Sequence, residues 1–138
     1  MPIPIKVAAD SPEPMYHQIE VQLRGLIVSG QLAEGTLLPS IREMATDLNC
    51  SVITIRRVYQ DLENEGLLRT RQGTGTFVAA VSVQDRQGYR TEAVKEAVQA
   101  AFETAKRVQF TREEMQQLLD ETIEEWYPAA ANPEKEDL

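Results

Sequence analysis

The sequence has 138 residues and a formal net charge of −8, and this length suits one domain or one small domain with an appendage. A chain of this size can bury a core without disulfide bonds or a structural metal. One cysteine excludes a disulfide framework, and one cysteine with one histidine excludes most zinc sites, so we expect neither metal nor cofactor. No apolar run approaches the ~20 residues of a membrane span and no signal peptide is visible, so we expect a cytoplasmic protein.

The charge is unevenly distributed along the chain. Residues 1–80 carry 7 basic and 9 acidic side chains, whereas residues 81–138 carry 7 basic and 13 acidic ones. Polar residues and one glycine predict a linker at residues 81–90. The sequence therefore predicts a domain over residues 1–80, a second region over residues 91–128 and a flexible tail over residues 129–138.

The first domain opens with two different apolar patterns. Ile3, Ile5 and Val7 alternate with other residues, which predicts a short strand or an extended arm. From Tyr16 onward apolar residues recur every three or four positions. That spacing predicts a helix over about residues 14–29.

Two short helices follow, and each has a recognisable start. Ser40 and Glu43 form a capping box, in which the serine hydroxyl accepts a hydrogen bond from the amide of Glu43. Asn49 is suited to end this helix in the left-handed conformation, and Ser51 can cap the next helix, which Gly66 ends. Two short helices separated by about three residues form a helix-turn-helix.

After Gly66 the pattern changes to that of a β-hairpin. A strand at residues 67–71 precedes a glycine-containing turn and a second strand at residues 76–78. A helix-turn-helix followed by a hairpin is a winged helix. The first domain is therefore predicted to be a winged helix-turn-helix.

The residues beyond the predicted linker show two helical patterns. Apolar spacing predicts a helix over residues 91–107, and a capping box at Thr111 begins a second helix that stops at Pro128. The predicted fold is therefore α+β, an N-terminal winged helix-turn-helix followed by a C-terminal two-helix hairpin. Two helices of this size cannot bury both apolar stripes by themselves.

We expect these stripes to form a homodimer interface, because helix-turn-helix proteins commonly read two half-sites with two-fold symmetry. The alternative is a hairpin folded back on its own domain. The residues assigned to dimerisation are Val98, Phe102, Met115, Leu118, Leu119, Ile123 and Trp126.

Four strings within residues 12–79 resemble one protein family. They are MYHQI at residues 15–19, LPSIREMA at residues 38–45, DLENEGLL at residues 61–68 and RQGTGTFV at residues 71–78. Their order and spacing resemble those of GntR-family bacterial transcription regulators, and the size of the chain resembles the YtrA-like subfamily. The resemblance implies a winged-helix protein whose partners are double-stranded DNA and a second copy of itself, and not an enzyme.

The resemblance departs at the start of the predicted recognition helix. The family often has S-R-x-T or N-P-N-T where this chain has SVIT at residues 51–54. Val52 cannot make the bidentate contact to guanine that an arginine makes. The usual operator sequence of the family is therefore not expected here.

Basic side chains cluster where a winged helix meets DNA. Arg56 and Arg57 lie in the first half of the recognition helix, where the free amides and the helix dipole also favour phosphate. The alternative is that these charges form only a solvated face. The acids in the second half, Asp61, Glu63 and Glu65, are expected to be solvated.

Other candidates come from the first helix of the motif and from the wing. By resemblance Arg42 reaches a base edge or a phosphate, and its alternative is a surface ion pair. For Ser51 a plain N-cap, and for Val52 burial under the turn, are equally good interpretations. Arg69 and Arg71 share one face of their strand and can track the phosphate backbone. The residues assigned to DNA binding are Ser40, Arg42, Ser51, Val52, Ile53, Thr54, Arg56, Arg57, Arg69, Arg71, Gln72, Gly73 and Thr74.

The sequence predicts a sequence-specific DNA-binding transcription regulator, a repressor that binds a two-fold operator as a homodimer and lies on the nucleoid when bound. A winged helix that binds only protein would not need this set of arginines. An enzyme would need a nucleophile, a base and an orienting group, and no such set is apparent. A small-molecule effector between the C-terminal helices and a redox role for Cys50 are left open.

Overall fold

The computed structural model describes residues 3–129. Its elements in chain order are α1 Met15–Val28, α2 Ile41–Leu48, α3 Val52–Asn64, β1 Leu68–Arg71, β2 Gly75–Val78, α4 Val83–Arg107 and α5 Arg112–Trp126. This order confirms the predicted α+β fold, a winged helix-turn-helix followed by a helical hairpin. Contacts divide the chain into two compact units, Met1–Glu92 and Ala93–Leu138, and the boundary falls within α4.

The core of the first unit lies between its three helices and the hairpin. The apolar stripes predicted from the helical spacing are buried, and most of their members are inaccessible to solvent. The largest fully buried side chains are Ile19, Leu23, Ile27, Met44, Ile55, Val58, Leu62 and Leu67. Burying each such side chain contributes about 1.5–3 kcal/mol, so this set fixes how the three helices pack.

The predicted helix ends are confirmed. Ser40 Oγ accepts from the Glu43 amide at 3.1 Å, and Ser51 Oγ accepts from the Thr54 amide at 3.0 Å. Asn49 adopts a φ of 54°, the left-handed conformation that reverses the chain between α2 and α3. Local side-chain chemistry therefore sets the turn of the helix-turn-helix.

The wing is an antiparallel pair in which Leu68 lies opposite Val78 and Arg71 opposite Gly75. A third segment that the sequence did not predict extends this sheet. The Leu38 amide donates to the Thr76 carbonyl at 2.8 Å, and the Val78 amide donates to the Thr36 carbonyl at 2.9 Å. The loop before α2 is therefore hydrogen-bonded to the wing.

The N-terminal residues form an extended arm and not a strand. The Lys6 amide donates to Gln22 Oε1 at 2.9 Å, and Gln22 Nε2 donates to the Lys6 carbonyl at 2.7 Å. Gln18 makes the same pair of bonds to Ala8, at 2.8 and 3.1 Å. Two glutamines of α1 thus bind the backbone of the arm as a neighbouring strand would, and Ile5 of the arm is buried in the core.

The predicted linker at residues 81–90 is wrong, because α4 begins at Val83. Ser82 Oγ accepts from the Asp85 amide at 3.0 Å, which caps the helix. The Tyr89 ring packs against the core of the first unit, and its hydroxyl donates to the Glu65 carbonyl at 2.9 Å. The polar residues that suggested a linker are the exposed face of a helix.

The second unit is a helical hairpin. As predicted, Thr111 Oγ1 caps α5 by accepting from the Glu114 amide at 3.1 Å, and the helix ends at Trp126, two residues before Pro128. None of the residues in α4 or α5 is buried. The predicted tail lies almost wholly outside the described residues. In the described part of the chain, no helix is long and apolar enough to cross a membrane.

Candidate nucleic-acid interface

An open groove lies between α2, the start of α3 and the wing. It encloses about 1240 Å³, and its walls are the segment at residues 37–39, the exposed side of α2 and the first strand residues after the hairpin turn. The structure brings five of the sequence-predicted DNA-binding residues together on its lining. They are Ser40, Arg42, Val52, Arg56 and Thr74.

Arg42 and Arg56 are the two cations of this groove, and both are exposed. The ion pair considered for Arg42, with Glu43 or Asp47, does not form: within residues 3–129 neither Arg42 nor Arg56 makes a salt bridge. Their guanidinium groups are therefore available to a ligand. A planar guanidinium suits phosphate oxygens and the guanine edge.

Arg57 lies outside the groove, on the side of α3 that faces α1. Its guanidinium carbon is 3.6 Å from the centroid of the Tyr16 ring, and its Nε is 3.9 Å from Asp61 Oδ2. Asp61, which was expected to be solvated, is thus close to Arg57. Glu65, also expected to be solvated, accepts two hydrogen bonds of 2.9 and 3.2 Å from Arg24. Neighbouring arginines of α3 thus have different surroundings.

The start of α3 combines a cap with an exposed apolar pair. The hydroxyls of Ser51 and Thr54 are 2.8 Å apart, so both are engaged at the N-cap, which is the plain interpretation considered for Ser51. Val52 is 37% exposed and lines the groove, while Ile53 is 74% exposed beside it. Both can offer a methyl group to an apolar partner such as thymine.

The predicted wing residues lie outside the groove, with the exception of Thr74. Arg69, Arg71 and Gln72 are exposed, and the Arg71 guanidinium carbon is 5.9 Å from the centroid of the Phe77 ring. Gly73 adopts a φ of 80°, which favours glycine because it has no side chain. The wing therefore presents two cations and a tight turn beside the groove.

Two groove residues were missed by the sequence interpretation. Leu37 is 56% exposed on the lining, next to the motif that begins at Leu38. Tyr59 was assigned only to the buried stripe, yet its hydroxyl donates to the Pro39 carbonyl at 2.8 Å. Burial, with a smaller effect of the Glu43 carboxylate, raises the pKa of Tyr59, so the hydroxyl remains a donor. No sequence signal shows which carbonyl a buried hydroxyl will reach.

The groove offers little to redox or metal chemistry. Cys50 is half-buried, and burial raises the pKa of its thiol, which disfavours the thiolate form needed for oxidation. Among residues 3–129 no group of three or more His, Cys, Asp or Glu side chains could hold a metal ion. The groove is therefore lined by cationic, hydroxyl and apolar groups, together with the Glu43 carboxylate.

The residues assigned to dimerisation lie on the helical hairpin of the second unit. Leu118, Ile123 and Trp126 are exposed, and Val98 and Phe102 of α4 are also more than a third exposed. Met115 and Leu119 are half-buried and line a shallow groove of about 340 Å³ between the two helices. The apolar stripe predicted from the sequence is present, and it is largely open to solvent.

Comparisons with known proteins agree with this geometry. The family model for "Bacterial regulatory proteins, gntR family" matches residues 15–78. The chain is 34% identical over 106 residues to the uncharacterized HTH-type transcriptional regulator YhcF of Bacillus subtilis (strain 168), covering 76% of this chain and 86% of that protein. The chain belongs to the GntR family. It is accordingly a DNA-binding transcription regulator of that family.

Other relatives and solved structures match different shares of the chain. The HTH-type transcriptional repressor YtrA of B. subtilis is 36% identical over 75 residues, which cover 54% of this chain and 58% of that protein. A GntR-family transcriptional regulator from Listeria monocytogenes has a TM-score of 0.70 at 25% identity, covering 81% of this chain and 97% of that one. The DNA-binding domain of AraR in complex with operator ORX1 has a TM-score of 0.50 at 31% identity, covering 54% of this chain and 96% of that one.

Proposed function

We propose that this GntR-family chain is a transcriptional repressor that binds a two-fold operator as a homodimer in the bacterial cytoplasm. The observation that carries the proposal is the groove between α2, α3 and the wing, in which Arg42 and Arg56 make no ion pair with any residue between positions 3 and 129. Two relatives support it, since YtrA of B. subtilis is a transcriptional repressor and the AraR domain was solved in complex with an operator.

In this proposal α3 enters the major groove with its first turns. Arg42 and Arg56 then face base edges and phosphates, while Val52 and Ile53 supply apolar contacts to thymine. The departure at Val52 implies an operator that is richer in thymine contacts, and poorer in guanine contacts, at this position. The wing lies along the backbone, where Arg69 and Arg71 bind phosphates and fix the register without reading sequence.

An acidic protein binds a polyanion only if its cations are locally grouped. The whole chain has a net charge of −8, so contacts outside the interface oppose binding. A protein that neutralises DNA phosphates releases their counterions. A plot of the logarithm of the binding constant against the logarithm of the salt concentration then has a slope of about −0.9 for each phosphate neutralised. We expect steep salt dependence for this chain despite its acidity.

The hairpin of the second unit supports dimerisation. Its apolar side chains are exposed or half-buried, and burying one large apolar side chain contributes about 1.5–3 kcal/mol. Several such residues from each protomer can offset the entropy of association. A two-fold dimer would then place two recognition helices one helical turn of DNA apart, about 34 Å.

The DNA part is tested by selecting bound fragments from the native genome and measuring their affinity at several salt concentrations. We expect Arg42→Ala to lose roughly 1–3 kcal/mol of discrimination between the selected operator and random DNA. Arg71→Ala should instead weaken binding to all sequences and lower the salt slope. Arg90→Ala removes an exposed cation outside the groove and is the matched control. Equal loss of specific and non-specific binding in Arg42→Ala would reassign that residue to the backbone.

The dimer is tested by sedimentation of the wild type, Leu119→Glu and Gln117→Glu. Both substitutions add one negative charge to α5, but Leu119 lines the apolar groove and Gln117 is exposed. We expect a dimeric wild type and Gln117→Glu, and a monomeric Leu119→Glu with an intact winged helix and much weaker operator binding. A wild type that is monomeric at micromolar concentration yet binds a palindrome tightly would refute the dimer.

A further inference from the structure

The contact between α1 and α3 is a row of three side-chain pairs, with partners four residues apart along each helix. The pairs are Tyr16 with Arg57, Glu20 with Asp61, and Arg24 with Glu65. The first is a cation over an aromatic ring at 3.6 Å, and the third is a salt bridge at 2.9 Å. The two outer pairs attract, whereas the middle pair brings two carboxyl groups together.

The carboxyl group of Glu20 is buried, with the residue only 7% exposed. In the part of the chain that the structure describes, its Oε1 has no hydrogen-bond partner. Arg24 lies 3.9 Å from Glu20 Oε2, but its two hydrogen bonds go to Glu65. Two carboxylates can only accept hydrogen bonds, so Glu20 would have to be a carboxylic acid to donate to the neighbouring Asp61, whose influence raises the pKa of Glu20.

The electrostatic surroundings favour that protonated form. Burial raises the pKa of Glu20 to about 7, and the hydrogen bond and charge of Asp61 and the charge of Glu65 act in the same direction. Only Arg24 opposes the rise. With a pKa of about 7, Glu20 therefore exchanges its proton near neutral pH, which the sequence analysis did not predict.

We propose that Glu20, as a carboxylic acid, is a positioning residue for the recognition helix α3, so that DNA binding takes up a proton. The acid donates to Asp61, Asp61 keeps one negative charge, and that charge holds Arg57 of α3 against Tyr16 of α1. The inference rests on the proposed DNA-binding role of α3 and adds a dependence on pH to it.

Deprotonation changes the balance of this row. Glu20 and Asp61 then repel each other across the α1–α3 contact, and Arg24 and Arg57 are drawn toward a buried pair of negative charges. The groups that face Glu20 are Arg24 from α1, and Asp61 and Glu65 from α3 and its end. A shift of α3 against α1 moves the first turn of α3 relative to α2, and that relation shapes the groove.

Linkage gives the measurable consequence. If DNA binds better to the form with protonated Glu20, then DNA must raise the affinity of Glu20 for its proton by the same factor. Binding at pH 7 therefore takes up a fraction of a proton per protomer, and affinity falls as pH rises. Coupling energies between two sites typically change affinity by roughly fivefold or more. We therefore expect the affinity for DNA to fall by roughly fivefold or more between pH 6 and pH 8.

The experiment is titration calorimetry of the full chain with the selected operator duplex, in two buffers of different ionisation enthalpy at pH 7. Wild-type protein should take up protons when it binds the duplex, and Glu20→Gln, the neutral isostere, should take up none. This variant should bind the duplex at pH 8 as tightly as wild type does at pH 6. Histidine is the other residue type that changes charge between pH 5 and 8, so His17→Asn is the control. It should leave proton uptake unchanged.

Three results would overturn the inference: no proton uptake by a wild type that binds DNA, unchanged uptake in Glu20→Gln, or loss of uptake in His17→Asn. A wild type that binds no DNA at any pH would instead refute the proposed function itself. If Glu20→Gln does not fold, Asp61→Asn removes the facing negative charge, and we expect it to reduce proton uptake at pH 7. Unchanged uptake in Asp61→Asn would also overturn the inference.

Discussion

The buried Glu20 carboxyl makes a quantitative prediction about folding that is independent of DNA. The pKa of this group is raised from 4.5 to about 7 in the folded chain, chiefly by burial. Between these values the folded chain binds a proton that the unfolded chain has lost, so the free energy of unfolding falls as pH rises. At about 1.4 kcal/mol per pKa unit, the contribution of this group falls by at most about 3 kcal/mol between pH 4.5 and pH values above 7.

Glu20→Gln removes this proton and keeps the size and hydrogen-bonding capacity of the side chain. Urea unfolding followed by circular dichroism at pH 5, 6, 7 and 8, at one protein concentration, gives the free energy for each chain. The carboxyl groups that do not face Glu20 contribute equally to both chains, so the difference between the two curves reports on Glu20 together with the facing Asp61. We expect the glutamine variant to gain stability relative to wild type as pH rises, by up to about 3 kcal/mol. A difference that is flat over this range, or of opposite sign, would refute the assignment of the proton.

Two further predictions concern the groove. Gly75→Ala should destabilise the wing by about 1 kcal/mol or more, because φ is +134° and the new Cβ would be 2.9 Å from Leu37 Cδ1. Thermal unfolding should show this loss, while Gly25→Ala, in a helix with nothing within 4 Å, should gain up to about 1 kcal/mol. Tyr59→Phe leaves the Pro39 carbonyl without its donor and should cost about 1–3 kcal/mol in urea unfolding, so a neutral result would show that water replaces the hydroxyl.

Helix ends were predictable because they depend on residues three positions apart. Ser40, Ser51 and Thr111 each cap the helix that the sequence assigned to them. The start of α4 was missed although Ser82 and Asp85 lie three positions apart and form the same kind of cap, because the polar composition of residues 81–90 suggested a linker instead. The contact that holds this part of α4 against the first unit is not local. The Tyr89 hydroxyl reaches the carbonyl of Glu65, 24 residues away, and no pattern within residues 81–90 shows that contact.

The sequence predicted which residue types would form the candidate site, but not which way each side chain would point. The sequence placed Arg56 and Arg57 together, yet adjacent residues of a helix point about 100° apart, and packing decides which one faces outward. Here the Arg57 guanidinium packs on the Tyr16 ring, and Arg56 faces the groove. Glu20 was missed for the same reason, since packing buries its carboxyl group beside Asp61 and the sequence pattern shows neither the burial nor that neighbour.

The pairing on the far side of α3 explains how an acidic chain keeps a cationic groove. Asp61 faces Glu20 of α1 and also Arg57, and Glu65 is bound by Arg24 of α1. The third acid, Glu63, accepts a hydrogen bond from Thr70 of β1. Such pairs weaken the negative potential near the first half of the helix, where phosphate is expected. The contacts along α1 therefore engage acidic side chains at the end of α3, while Arg42 and Arg56 stay exposed in the groove. A proton at Glu20 of α1 removes one further negative charge from the contact between α1 and α3.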